Sequence, residues 1–389
     1  MMDQNILVKF AEHFIRVVDR LTQWKYAAWL LPLMAVACSL FTAFPSYDLA
    51  NSQEMSENWG AFLEQVQDPF SAKDHPSASH AANLAFRITP ALLAMPLGIR
   101  SINAFLILQG VALVLLFFVL PRLFRKISKD PVVSWLLTFS VSFMFVGNVL
   151  CSDYRGFFDV LAFLFLAGTL LFDSLFLILG CSLLAFFTDE RALIASGLVY
   201  VFFVVEREKD ANALGLASFF RFSPKMIILM ASWVVYFSLR FFLSYRFGLK
   251  TNTTGLVDYL LHATIKQINI FPFALWTGLE GFWVIVLIAF AHLVTARKWS
   301  FVALCSVAFG VVVLTAIWLF DITRSMAYLM PLIFISLAIA SRLQPLKNLR
   351  LISVVVLVFS FFPTYYAAGV DHIGWFYPMP LQLLRMMAM

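Results

Sequence analysis

Charged side chains are scarce in this sequence: 13% of its 389 residues carry one, against 62% that are hydrophobic. A soluble domain cannot hide that much apolar surface, so lipid is the solvent for most of the chain. Cysteine is scarce too. Cys38, Cys151, Cys181 and Cys305 lie in or beside apolar runs with no common spacing, which suggests neither a disulfide framework nor a zinc site. The apolar runs lack period-two alternation, which excludes a transmembrane β-barrel and makes the spans helical. No Walker or dinucleotide glycine-rich motif is present, and no internal repeat or low-complexity tract. The first long apolar run is not followed by a small-residue cleavage pattern, so no cleavable signal peptide is expected.

What is present is a succession of apolar runs, at roughly 26–44, 101–120, 131–150, 157–172, 174–187, 192–205, 226–245, 277–295, 299–320, 325–341 and 351–368. They predict an all-α polytopic membrane protein of about 11 transmembrane helices. A rival parse fuses 157–187 into one tilted helix and makes 192–205 re-entrant, which reverses the side of everything after residue 190. Loop charge separates the two. With eleven spans and the N-terminus inside, the cytoplasmic segments 1–25, 121–130, 173, 206–225, 296–298 and 342–350 hold 17 Lys and Arg against 8 Asp and Glu. The rival would export Arg297, Lys298, Arg342, Lys347 and Arg350, against the positive-inside tendency.

The expected layout is a cytoplasmic segment 1–25, a transmembrane domain 26–368 and an external tail 369–389, in a bacterial inner (plasma) membrane. The net charge of +6 is read as loop charge and not as a nucleic-acid footprint. The first external loop, 45–100, is long and acidic, with Asp48, Glu54, Glu57, Glu64, Asp68 and Asp74 against Lys73. It ends in HPSASHAANLAFRITPALLAMPLGIR, expected to lie along the membrane surface. A second external loop, 246–276, contains LVDYLLHATIKQI, with helical spacing of apolar residues.

Charges near hydrocarbon are costly and tend to mark function. In this topology they gather on the external side: Asp48 after the first span, Asp153, Arg155 and Asp159 in CSDYRGFFDV, and Asp189, Glu190 and Arg191 in FTDERAL. Arg240 and Arg246 fall in the outer half of the seventh span, and Asp321 and Arg324 between the ninth and tenth. Each also has a plainer reading. Thr188 or Asp189 can cap a helix, with Glu190 favoured by its dipole. Ser152-Asp153 can cap the next span, Arg155 and Asp159 can pair at i,i+4, and Asp321 can pair with Arg324. Arg240 can snorkel. Asp48 can be a solvated loop acid. His75 and His80, with Asp74 and Glu64, fit no strong metal-ligand spacing and read as structural. Asn252-Thr253-Thr254 matches the glycosylation-acceptor pattern only weakly.

With these residues in view, the chain resembles the GT-C superfamily of integral-membrane glycosyltransferases. The likeness lies in Tyr47-Asp48 soon after the first span, then His75-Pro76, His80 and Arg87-Ile-Thr-Pro90. Ser152-Asp153 and Asp189-Glu190 match acidic residues in later external turns. The late turn Asp321-Ile-Thr-Arg324-Ser-Met-Ala-Tyr-Leu-Met-Pro331 matches an arginine before a late span. The likeness covers about 45–210 in layout plus the late turn, without a diagnostic string or the paired acids that some members carry in the first loop.

The resemblance implies sugar transfer from a polyprenyl-phosphate donor to a glycan, lipid or protein acceptor on the external side. Asp48 is then the expected base, with Asp153, Asp189 or Glu190 as alternates or acceptor-binding groups. Arg240 and Arg324 are expected to hold the phosphate, assisted by Arg87 or Arg191, with Arg155, Arg246, His75 and His80 as further substrate-binding candidates. No cofactor is required, and a divalent metal is compatible with the pattern. The chemistry needs a carboxylate to take the hydroxyl proton and arginines to stabilise the departing phosphate. Three other readings remain: a transporter or flippase for an anionic lipid-linked or sugar substrate, a polysaccharide polymerase or ligase, and a non-catalytic scaffold.

Overall fold

The computed structural model describes residues 4–70, 84–208, 210, 213–249, 264–318, 321–361, 365–368 and 372–388. The chain is nearly all helical. An amphipathic helix α1 (Gln4–Thr22) precedes α2 (Ala27–Thr42). The first long loop then carries α3 (Gln53–Gln67) and α4 (Ile88–Ala94). The central bundle follows with α5 (Ile102–Ser128), α6 (Pro131–Val141), α7 (Asp159–Leu171), α8 (Leu175–Phe186) and α9 (Glu190–Arg207). It continues with α10 (Pro224–Phe247), α11 (Phe271–Leu279), α12 (Trp283–Thr295) and α13 (Trp299–Trp318). A short helix α14 (Ile322–Met326) leads through a 3₁₀ turn into α15 (Met330–Leu343), and α16 (Leu346–Ser360) follows. Strands β1 (Tyr365–Ala368) and β2 (His372–Trp375) form an antiparallel hairpin before α17 (Met379–Ala388).

Among the described residues, five stretches are long and apolar enough to cross a membrane: Ile102–Ser128, Pro224–Phe247, Phe271–Thr295, Trp299–Trp318 and Ile322–Leu343. Four shorter apolar helices, α2, α6, α7 and α8, accompany them. Every apolar run read from the sequence carries a helix, though several bounds move. The fused helix over 157–187 does not form, since α7 ends at Leu171 and α8 begins at Leu175. The two fold back on each other, with Thr169 Oγ1 3.4 Å from Ser182 Oγ. The run at 131–150 is helical only to Val141; beyond it the chain turns back so tightly that a Cβ on Gly147 would lie 2.1 Å from the Val141 carbonyl. The last run is helical only to Ser360, before Pro363, and its end pairs as β1 instead of extending a span to 368.

The turns segregate to two ends of the bundle. At one end Lys126 reaches Asp173 at 2.8 Å and Glu206 at 3.4 Å, while Lys225 reaches the same two acids at 2.5 and 2.8 Å. Arg342 donates there to the carbonyls of Glu208 and Val205. Arg350 of α16 binds Asp130, which caps α6, at 2.6 Å. These turns belong to the segments 121–130, 173, 206–225 and 342–350, the set whose charge is basic overall. At the other end the starts of α7 and α9 meet the turn of α14, through Asp159, Asp189 and Arg324.

The first long loop differs from a surface-lying segment. Ile88, Thr89, Pro90 and Ala91 are buried, and Thr89 bonds the carbonyls of Phe187 through its N–H and of Leu184 through its hydroxyl. This draws Arg87 inward against the turn between α8 and α9. His75 and His80 lie outside the described residues, as does most of the expected second external helix.

Candidate functional site

Helix starts build the site. Asp153 lies in the turn before α7 with both carboxylate oxygens on backbone N–H groups, Oδ1 on Asp159 at 3.2 Å and Oδ2 on Val160 at 3.0 Å. It thus caps α7 from outside the helix, and Asp159 becomes the first helical residue. Asp189 caps α9 in the same way, accepting the Arg191 N–H at 2.9 Å. Both caps are buried, and the carboxylates they position meet arginines in a dry interior.

Asp159 is fully buried and accepts three donors: Arg324 Nε, the Tyr328 hydroxyl at 2.8 Å and Arg191 Nη2 at 3.2 Å. Asp189 takes the Arg191 guanidinium on both oxygens, at 2.8 and 2.7 Å, with Arg87 Nη1 at 3.3 Å and Arg324 Nη2 at 3.7 Å. Glu190 lies between Arg87 Nε at 3.2 Å and Arg240 Nη1 at 3.5 Å. Arg240 also donates to the Tyr236 hydroxyl at 2.7 Å and lies over the Phe86 ring. With Asp321 beside Arg324, four arginines therefore meet four ion-paired carboxylates in one group.

The electrostatics follow from burial. Burial raises the Asp153 carboxyl well above the carboxylate range, helped by the charge of Asp159, and its two backbone N–H groups do not cancel the effect. For Asp189 burial acts in the same direction, but Arg191 and Arg87 outweigh it and hold the acid well below its usual value. The Arg324 Nη2 is buried and makes no hydrogen bond, its contact with Asp189 Oδ2 being a looser ion pair at 3.7 Å.

Arg324 also lines a small pocket of about 20 Å³, together with Arg155, Asp321 and the rings of Phe157, Tyr366 and Phe376. Its guanidinium lies 3.6 Å from the Phe157 ring centroid, and the β hairpin forms one wall. Asp321, in the left-handed region at φ 62°, stands 4.0 Å from Arg324 Nη1. Arg155 donates to the Tyr154 hydroxyl at 3.1 Å and does not pair with Asp159. The i,i+4 pairing fails because Gly156, at φ 84°, breaks the helix that it presumes.

Asp48 does not join the ion-paired group. It lies on a 3₁₀ turn, exposed, and the closest donor to it is Gln382 Nε2 at 3.5 Å. Its neighbour Tyr47 reaches further: burial, with Cys151 and Asp153 nearby, raises its hydroxyl. Tyr47 also lines an apolar groove of about 600 Å³ along α5. Arg246 is exposed at the end of α10, over the Phe247 ring, and stands apart. Asp153, Asp159, Asp189 and Glu190 are engaged by arginines and backbone N–H groups.

Sequence reasoning brought Asp153, Asp189, Glu190, Arg87, Arg191, Arg240 and Arg324 into view. It missed the centrality of Asp159, and it missed Tyr328, one turn after Arg324 in the late motif. Compared with models of known protein families, with curated proteins and with solved structures, the chain matches none.

Proposed function

We propose that the chain is a membrane glycosyltransferase that moves a sugar from a polyprenyl-phosphate donor to a glycan, lipid or protein acceptor. In this reading the eleven helical regions cross the membrane, the basic end is cytoplasmic, and the arginine-rich end faces outward. The observation that carries it is the gathering of Arg87, Arg191, Arg240 and Arg324 on buried carboxylates, with Arg324 and Arg155 lining one pocket. A phosphate at the pocket edge is held by Arg155 and Arg324. Asp159 and Asp189 position the arginines, Phe157, Tyr366 and Phe376 flank Arg324 and Arg155, and the groove along α5 beside Tyr47 takes lipid. Asp321 borders the pocket and, with Asp48, competes for the role of base.

Purified protein given a polyprenyl-phosphate sugar and acceptor should release lipid phosphate. Asp321→Asn or Asp48→Asn should abolish release with the fold intact, and the variant that does so identifies the base. Undiminished turnover in both variants would remove both from that role.

One feature favours transport of an anionic lipid-linked or sugar substrate instead: the apolar stretch Phe271–Thr295 is broken at Glu280–Phe282. Proton-driven uptake into proteoliposomes without bond cleavage would decide for it.

A further inference from the structure

The residue at that break is Glu280, and neither the ion-paired group nor the pocket uses it. It is 5% exposed, and its Oε2 is buried without a hydrogen-bond partner. Among the described residues no charged side chain of α11, α12, α14 or α16 pairs with it; Arg324 of α14 is engaged by Asp159. Its backbone lies in the left-handed region at φ 45°, a setting that strains a non-glycine residue.

Gly281 presses the break onto α16. A Cβ there would stand 2.2 Å from the Val356 carbonyl and 2.5 Å from Ser360 Oγ. That Ser360 oxygen is also buried and unpartnered. Strain and two orphaned oxygens thus meet at one junction. A carboxylate buried without a counter-charge is among the costliest groups in a membrane interior. A bound cation needs several oxygen ligands, and among the described residues no cluster of acids, histidines or cysteines gathers with Glu280. A proton needs none.

The junction is also tied to the site. Thr277, one turn before Glu280, shares a 3.1 Å hydrogen bond with Thr323, the residue before Arg324. Gly278 seats Met326 of the same turn, where a Cβ would fall 2.8 Å from the Met326 Cβ.

We propose that Glu280 is an intramembrane proton site, a carboxylic acid that holds one proton at rest, one turn from the Thr277 and Gly278 contacts to the turn carrying Arg324. This does not depend on the transferase reading. The test is infrared spectroscopy of the full chain in an ester-free detergent at mildly alkaline pH, where solvated carboxylates are ionised. The wild type should show a protonated-carboxyl C=O band that shifts in D₂O and is lost in Glu280→Gln, with the melting temperature of that variant unchanged. If Glu280→Gln does not fold, Glu280→Asp should keep the band at a displaced frequency. A wild-type spectrum without such a band, or a band removed by sodium at constant pH, would overturn the assignment.

Discussion

The carboxylate of Asp159 and the guanidinium of Arg324 are paired in the interior although 165 residues separate them in the chain. The pair joins the start of α7 to the turn before α15, and through Arg191 and Asp189 it also holds the start of α9. Three helix ends are thus fixed by one charge group, and the pocket forms along its edge.

Breaking that group from one side strands a buried charge. Asp159→Asn leaves Arg324 and Arg191 undercompensated and should cost about 3–5 kcal/mol. The double variant Asp159→Asn with Arg324→Met removes the stranded cation and should recover part of the loss. Thermal unfolding of the detergent-solubilised chain measures both, and strictly additive losses would contradict a coupled pair.

The pocket arginines should require their forked geometry as well as their charge. Arg155→Lys and Arg324→Lys keep the cation but lose the planar fork that matches a phosphate. Each should weaken binding of a polyprenyl-phosphate donor roughly ten- to hundred-fold, the worth of one charged hydrogen bond of about 1.5–3 kcal/mol. Arg246→Lys, at a residue exposed and apart from the group, should bind as the wild type does. Equal affinity in all three variants would remove the phosphate from this pocket.

Much of this site was legible because helix starts are local. Asp189 before an apolar run reads as a cap, and it is one. The helices follow the apolar runs because hydrophobic length is a property of the run itself. What escaped was set by long-range contact or by backbone geometry. Asp159 looked like the partner of Arg155 until Gly156 turned the chain. Tyr365 to Ala368 read as the end of a span, since four apolar residues do not distinguish strand from helix. Asp48 sits in the expected place in the sequence, yet only tertiary structure shows that its carboxylate faces Gln382 and not the arginines.

At the basic end, Asp173 offers a test by pH. Hydrogen bonds from Lys126 and Lys225 lower its carboxyl from an ordinary 3.8 to about 2. Folding therefore favours the ionised form, so the stabilisation is complete above the ordinary value and lost as pH falls toward the lowered one. The side chain is 73% exposed, so the pairs contribute only roughly 0.2–1 kcal/mol. Asp173→Asn should lower the melting temperature slightly at neutral pH, and the gap from wild type should close in acid and narrow in high salt. A gap that persists unchanged in acid would assign the loss to packing.

Two glycines inside apolar helical stretches should respond in opposite directions to the same substitution. Gly281 lies in the break against α16, where an added methyl would meet backbone atoms at 2.2 and 2.8 Å and the Ser360 hydroxyl at 2.5 Å. Backbone cannot rotate away as a side chain can, so Gly281→Ala must part the break from α16 or fail to fold. It should lower the melting temperature markedly and, if Glu280 holds its proton there, disturb the same carboxyl band. Gly180 is interior to α8, with nothing within 4 Å of an added Cβ. Gly180→Ala should be neutral or stabilise by up to about 1 kcal/mol, because alanine loses less conformational freedom in a helix. Tolerance of alanine at Gly281 would mean that the break does not rest on α16, and the strain at Glu280 would then need another cause.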